Sequence, residues 1–461
     1  PEDEVEARRL YGLAAAQGDA DAQCRLANMF YEGHGGPKDE VEARRLYGLA
    51  AAQGHADAQY RLADMLNEGH GGPEDEVEAR RLYGLAAAQG DADAQCRLAN
   101  MFYEGHGGPE DEVEARRLYG LAAAQGHADA QCRLANMFYK GHGGPKDEVE
   151  ARRLYGLAAA QGHAGAQCRL ANMLGSGHGG PKDKVEARRL YGLAAAQGHA
   201  DAQCRLANMF YKGHGGPKDE VEARRLYGLA AAQGHADAQC DLAHMLHEGR
   251  GGPKDEAEAR RLLGLAAAQG DADAQCRLAN MFYEGHGGPK DEVEARRLYG
   301  LAAAQGHAGA QCGLALLLVL GLGGHKDDAE ARRLYGLAAA QGDADAQFSL
   351  GVVLYEGRGG PKDEVEARRL YGLAAAQGHA EAQCSLAGML DEGSGGPKDE
   401  VEARRLYGLA AAQGRADAQC DLAHMLHEGR GGPKDEAEAR RLYGLAAAQG
   451  DADAQSYLAR M

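Results

Sequence analysis

The 461-residue chain has no tryptophan, isoleucine or threonine and only six phenylalanines, although 44% of its residues are hydrophobic. Its core must therefore be made mainly of Ala, Leu, Met and Tyr, a set that suits closely packed helices. The twelve prolines all fall in one phase, at Pro1, Pro37, Pro73, Pro109 and onward every 36 residues. Such regularity, with a strong apolar pattern, excludes a disordered low-complexity chain despite 68 glycines. No contiguous basic block occurs, and the formal net charge is −18, which argues against nucleic acid and anionic membrane as partners. The longest apolar run, Leu314 to Leu320, is far shorter than the ~20 residues that a membrane span needs. There is no Asn-x-Ser/Thr sequon, so nothing points to a glycosylated route. The chain opens at Pro1 rather than Met and its last copy stops partway, the pattern of a fragment.

What is present is a repeat array. Units begin at 1, 37, 73, 109, 145, 181, 217, 253, 289, 325, 361, 397 and 433, the tenth opening with His325 instead of proline. They are expected to form one continuous array over residues 1–461. In the second unit Asp39 and Glu42 have capping-box spacing and start a helix. Ala43, Leu46, Tyr47, Ala50 and Ala51 form its apolar stripe, and Glu40 and Arg44 are placed for an i,i+4 ion pair. Gly54 ends it. Ala58, Leu62, Met65 and Leu66 make the stripe of a second helix, which Gly69-His70-Gly71-Gly72-Pro73 breaks. Helices are thus expected near positions 3–17 and 20–32 of each unit. Neither stripe can be buried within one hairpin, so the hairpins must stack into an all-α solenoid. Gly48, inside the first helix, costs ~1 kcal/mol relative to Ala, and the sequence offers no reason for it.

The run Ala58-Gln59-Tyr60-x-Leu62-Ala63, with Gly69, Gly71, Asp75, Ala79, Leu82-Tyr83, Ala86-Ala87 and Gln89-Gly90, resembles the Sel-1-like repeat, a relative of the tetratricopeptide repeat. Ala346-Gln347-Phe348-Ser349-Leu350-Gly351 through Gly357-Arg358-Gly359 resembles it more strongly. The resemblance covers the whole chain. It implies a right-handed superhelix of thirteen helix-turn-helix repeats with a concave groove, and an adaptor role in protein complexes. Gly36 and Gly72 depart from it, standing where the family usually has an aliphatic residue; Cys mostly stands where an aromatic is often found.

All ten cysteines occupy one position of the unit, as in Cys24, Cys96 and Cys132. Stacked helices lie about 8–10 Å apart, too far for a disulfide, which wants Cα atoms within ~7 Å. These cysteines are therefore expected to be small apolar fillers. Cysteine-rich secreted relatives pair two per unit, and no unit here has a second, which favours a reducing compartment such as the cytoplasm; localisation is otherwise unassigned. Of the nineteen histidines, seven follow the helix-joining turn and seven lie in the glycine loop, opposite ends of a helix about 20 Å long. They are expected to be solvated loop residues that cannot converge on a metal. Asp241-x-x-His244-x-x-His247 and its duplicate at Asp421 fit a polar helix face better than a metal site. Gly33-His34-Gly35-Gly36-Pro37-Lys38-Asp39 lacks the Gly-Lys-Ser/Thr of a phosphate loop, and none of the five serines sits in a nucleophile motif. No cofactor and no catalysis are expected.

Variation is uneven. The first helix hardly changes between units, whereas the second varies on one face at Arg25/Asp241/Gly313/Ser349, Asn28/Asp64/His244/Leu316/Val352 and Tyr31/Asn67/His247/Val319. In tetratricopeptide-like solenoids that helix faces the groove, so Asn28, Tyr31, His244 and His247 are candidate partner contacts. In the ninth unit the outward positions become Leu316, Val319, Leu320 and Leu322. An apolar contact centre is expected there, flanked by Val352 and Tyr355. The expected function is a non-catalytic protein-interaction scaffold or adaptor that binds partners along its concave groove. A regulatory subunit that activates an associated enzyme and a self-assembling array are the alternatives.

Overall fold

The computed structural model describes residues 2–460. Among these residues are 26 helices and no strands, from α1 (Glu2–Ala16) to α26 (Ala452–Arg460). Odd-numbered helices open each repeat and even-numbered ones close it. The second repeat holds α3 (Glu40–Ala52) and α4 (Ala56–Glu68), within a residue of the expected bounds. The chain falls into two compact units, Pro1–Gln233 and Gly234–Met461, and within each the hairpins stack as an α-solenoid.

Local chemistry fixes each helix. Asp39 Oδ1 accepts the Glu42 amide at 3.0 Å, but Glu42 does not complete the capping box. Its carboxylate instead takes both ends of the Arg45 guanidinium, at 2.6 and 2.8 Å. The expected Glu40–Arg44 pair does not form. Arg44 reaches across its repeat to donate to the carbonyls of His70 (3.3 Å) and Pro73 (3.0 Å), while Glu40 pairs with Lys38 at 2.8 Å. Loop carbonyls with no helical donor outcompete an exposed ion pair, which is worth little in water. This arrangement also accounts for Gly72. A Cβ there would lie 2.6 Å from Arg44 Nη1, so the aliphatic residue usual in the family would displace the guanidinium.

The turn histidines are not merely solvated. The Nδ1 of His55 accepts the Ala58 amide at 3.3 Å, the N-cap role that Asp19 performs at 2.7 Å in the first repeat. His127, His163, His199, His235, His307 and His379 cap their helices in the same way.

Within a compact unit, a first helix is sandwiched between two second helices, as α3 is between α2 (Ala20–Glu32) and α4. Ala43, Leu46, Tyr47 and Ala50 of α3 are buried against Leu26 and Ala27 of α2 and Ala58 and Met65 of α4. A polar thread runs through this core. Gln59, 3% exposed, donates to the Ala51 carbonyl at 3.2 Å and accepts from Gln89 of the next repeat at 2.8 Å. The link recurs as Gln125 to Gln95 and Gln161 to Gln131. Every repeat thereby sets the register of its successor with a hydrogen bond that apolar packing cannot supply. The cysteines are all free. Cys24 is buried and its thiol donates to Asp57 of the next repeat at 3.3 Å.

Candidate partner-binding face

The variable positions lie along the outward side of the even-numbered helices. They are more tied to the scaffold than their variability suggests. Asn28 Oδ1 accepts the Tyr47 hydroxyl of the next repeat, and Asn136 and Asn172 accept from Tyr155 and Tyr191, each at 2.6 Å. Tyr31 packs edge-on to His70 with ring centroids 5.9 Å apart, and Lys38 Nζ sits 5.0 Å from its centroid. Both Asn28 and Tyr31 are half-buried; the neighbouring repeat engages the amide oxygen of the first and the ring of the second.

His244 and His247 lie on α14 (Ala236–Glu248), at the edge of a 170 Å³ cavity shared with α15 (Glu256–Ala268) and α16 (Ala272–Glu284). Leu263 stands there in place of the tyrosine found in the other twelve repeats. His247 meets His286 edge-on with centroids 5.1 Å apart, and its buried Nδ1 has no hydrogen-bond partner. Among the described residues no His, Cys, Asp and Glu side chains are grouped closely enough to hold a metal ion.

The ninth repeat presents a different surface. On α18 (Ala308–Leu320), Leu317 and Leu318 are buried, whereas Leu316 and Leu320, one turn apart, are 39% and 54% exposed. Val319 is only half-exposed, because it packs against the cluster of Ala315, Leu318, Leu334 and Val353. Leu322 is half-buried. Val352 and Tyr355, on α20 (Ala344–Glu356), are half-buried against Leu354, Leu370 and Tyr371. The exposed apolar centre thus narrows to Leu316 and Leu320. The scaffold has adjusted around these changes. With leucine at 316, Tyr335 loses the side-chain acceptor that Asn28 gives Tyr47. With glycine at 351, the Tyr371 ring occupies the space that a Cβ would fill, 2.6 Å from its built position.

A second surface escaped sequence reasoning. Gly84 lines a 720 Å³ cleft with Arg80, Ala88, Phe102 and Leu121, formed by α5 (Glu76–Ala88), α6 (Ala92–Glu104) and α7 (Glu112–Ala124). A Cβ on Gly84 would meet nothing within 4 Å, so close helix packing is not its reason. No helix among the described residues is long and apolar enough to cross a membrane.

Stacked helical hairpins joined by glycine loops define an α-solenoid repeat protein of the tetratricopeptide-like kind. The Sel1 repeat model matches thirteen consecutive segments, from residues 1–19 and 20–55 through 416–451. The chain belongs to the Sel1 repeat family. A crystal structure of a protective antigen present in uropathogenic Escherichia coli strains, described as displaying an SLR fold, is 29% identical. That alignment covers 98% of this chain and 96% of the other, with a TM-score of 0.83. A Sel1 repeat protein from Oxalobacter formigenes is also 29% identical, over 53% of this chain and 96% of its own, with a TM-score of 0.48. No curated protein sequence matches.

Proposed function

We propose that this chain is a non-catalytic scaffold that binds protein partners along the outward face of its even-numbered helices. One observation carries the reading: Leu316 and Leu320 are both exposed on α18, where nearly all other repeats carry polar residues. Exposed apolar surface of this kind is retained where something covers it. Val352 and Tyr355 extend the contact on the following repeat, and Asn28, Tyr31, His244 and His247 supply the polar register elsewhere. A family fold built for stacking hairpins supports the protein-binding reading.

The test is the double substitution Leu316→Asn, Leu320→Glu, which installs the residues of sister repeats. Affinity capture from the native lysate is compared with sedimentation of the purified chain. Loss of a captured protein supports the scaffold reading, and a change of oligomeric state alone would assign the patch to self-association. Unchanged behaviour in both assays overturns it.

A further inference from the structure

The fifth repeat differs from its sisters at three positions of α10 (Ala164–Ser176). Gly165 replaces the acidic residue found in every other repeat but the ninth, Gly175 replaces a side chain that is tyrosine in most, and Ser176 replaces a residue that is glutamate in most. The two flanking second helices, α8 (Ala128–Lys140) and α12 (Ala200–Lys212), end in Lys140 and Lys212 where most others end in Glu. Residues 145–216 carry ten Lys and Arg against six Asp and Glu, in a chain of net charge −18. The excess is scattered along the sequence and becomes a patch only when the repeats stack.

These substitutions open a 320 Å³ cavity across α8, α10 and α12, lined by Lys140, Arg169, Arg205, Asn136, Asn172 and Tyr139 among others, with no carboxylate in its wall. Its cations are poorly neutralised. In three other repeats the arginine at this register is held closely by the aspartate four residues before it, at 2.9 Å for Arg25–Asp21, 2.8 Å for Arg133–Asp129 and 2.7 Å for Arg277–Asp273. Arg169 has Gly165 there and makes no ion pair, and neither does Lys140. Arg205 holds Asp201 at 3.3 Å, and that carboxylate also accepts the Cys168 thiol at 3.2 Å. The asparagines add donors. Their Oδ1 atoms are committed to Tyr155 and Tyr191, so the N–H2 end of each amide is what remains for a ligand. By contrast, the cavity beside His244 has Glu284 in its wall at the position of Ser176.

We infer that this cavity is a carboxylate-recognition site, which takes an acidic side chain of an extended peptide segment in a protein partner. Two cations without an ion-pair partner among the described residues, a third loosely paired, and two amide donors converge on a space large enough for such a side chain. The positive surface is confined to the stretch from Lys140 to Lys212, and the repeats beyond it together carry more Asp and Glu than Lys and Arg. A nucleic acid, with a charge every ~1.7 Å along its length, would run onto those repelling flanks, whereas a short run of Asp or Glu would not. The inference rests on the protein-binding reading above and names the chemistry of one contact within it.

The test uses fluorescein-labelled hexaglutamate, with hexaserine as the neutral control, followed by fluorescence anisotropy at low ionic strength. Wild type is expected to bind hexaglutamate in preference to hexaserine, more weakly as salt rises. The double variant Gly165→Asp, Ser176→Glu, which restores sister-repeat residues and should fold, is expected to bind at least tenfold more weakly. Arg169→Gln should also weaken binding. Leu316→Asn, Leu320→Glu should leave it unchanged, so capture lost in that variant with hexaglutamate binding intact separates the two readings. Inorganic phosphate is the competing arm. Equal binding of hexaglutamate by wild type and both pocket variants, no binding at all, or displacement by phosphate as effective as that by unlabelled hexaglutamate would each overturn the assignment.

Discussion

Three glycines of the fourth repeat separate the forces that fix this backbone, because replacing each with alanine adds the same methyl group to a different setting. Gly120 lies in the interior of α7 and a Cβ there meets nothing within 4 Å. Gly120→Ala should therefore recover most of the helix-propensity cost of glycine, a gain of about 0.5–1 kcal/mol. Gly141 caps α8 in the left-handed region at φ 82°, with its nearest neighbours 3.4 Å from a built Cβ. Gly141→Ala should pay for the conformation alone, about 1–2 kcal/mol. Gly143, at φ 62°, would place its Cβ 2.2 Å from the carbonyl oxygen of Glu112 and 2.6 Å from the carbonyl carbon. Backbone cannot swing aside as a side chain can. The loop must move off the first turn of α7, which breaks the bond from the Gly143 amide to Glu112 Oε2 at 2.9 Å. Gly143→Ala should then cost about 3 kcal/mol or more, conformational strain plus a lost charge-assisted hydrogen bond and its packing.

Urea unfolding followed by circular dichroism gives the order of the three. Hydrogen exchange of the fourth and fifth repeats locates the effect, since stability in a stacked array is built from each repeat and its nearest interfaces. A Gly143→Ala cost within 0.5 kcal/mol of that of Gly141→Ala, on the scale at which surface substitutions are neutral, would refute the steric argument. A destabilising Gly120→Ala would show that the open space beside Gly120 is filled in solution.

Other expectations follow from the same geometry. Gln131→Met removes two hydrogen bonds, to the Ala123 carbonyl and from Gln161, but that carbonyl keeps the Gly126 amide; the cost should be about 1–3 kcal/mol, and a matched midpoint in urea would discount the glutamine thread. His199→Asp exchanges a 3.3 Å imidazole cap for the carboxylate used in other repeats, and thermal unfolding should show a gain of about 0.5–1 kcal/mol. Burial pushes the Cys24, Cys96 and Cys240 thiols up to about 12, so they should resist iodoacetamide at pH 8 until urea unfolds the chain; rapid labelling of the native protein contradicts this. Arg45, Arg81 and Arg297 hold the carboxyls of Glu42, Glu78 and Glu294 below the usual range. Their contribution is present above a pH of about 4.5, the ordinary carboxylate value, and should be lost as pH falls through the lower folded values, seen as a falling urea midpoint. An unchanged midpoint from pH 6 to 3 excludes it.

The period, the caps and the two apolar stripes made the helices legible in the sequence almost to the residue. Each of those signals is local, and a helix of thirteen residues is set by its own caps and its own apolar face. What could not be read were contacts made between segments far apart in sequence. Arg44 seemed placed for Glu40, four residues away, yet its partners are carbonyls 26 and 29 residues on. Gln59 looked like an ordinary polar position on an apolar stripe, and its reason lies in the Ala51 carbonyl behind it and Gln89 in the next repeat. Asn28 varied among copies as a free surface residue would, yet it is also the acceptor for Tyr47.

That last case bears on how partner sites arise in such an array. A position that only faced solvent could change without consequence, and variation there would carry little information. Here the outward position is also an acceptor for the following repeat, a bond that Asp64 keeps with Tyr83 and that leucine cannot make. Leu316 offers Tyr335 no acceptor, and His244 is accompanied by Leu263 one repeat later, which leaves a cavity where a tyrosine ring stands in the other copies. In the fifth repeat the loss of one aspartate and one glutamate releases Arg169 and opens a pocket bounded by three consecutive second helices. The surface chemistry of one repeat is thus written partly by its neighbours. For that reason the exposed leucines of α18 stand out from the sequence of a single unit, whereas the basic pocket emerges only when three units are stacked.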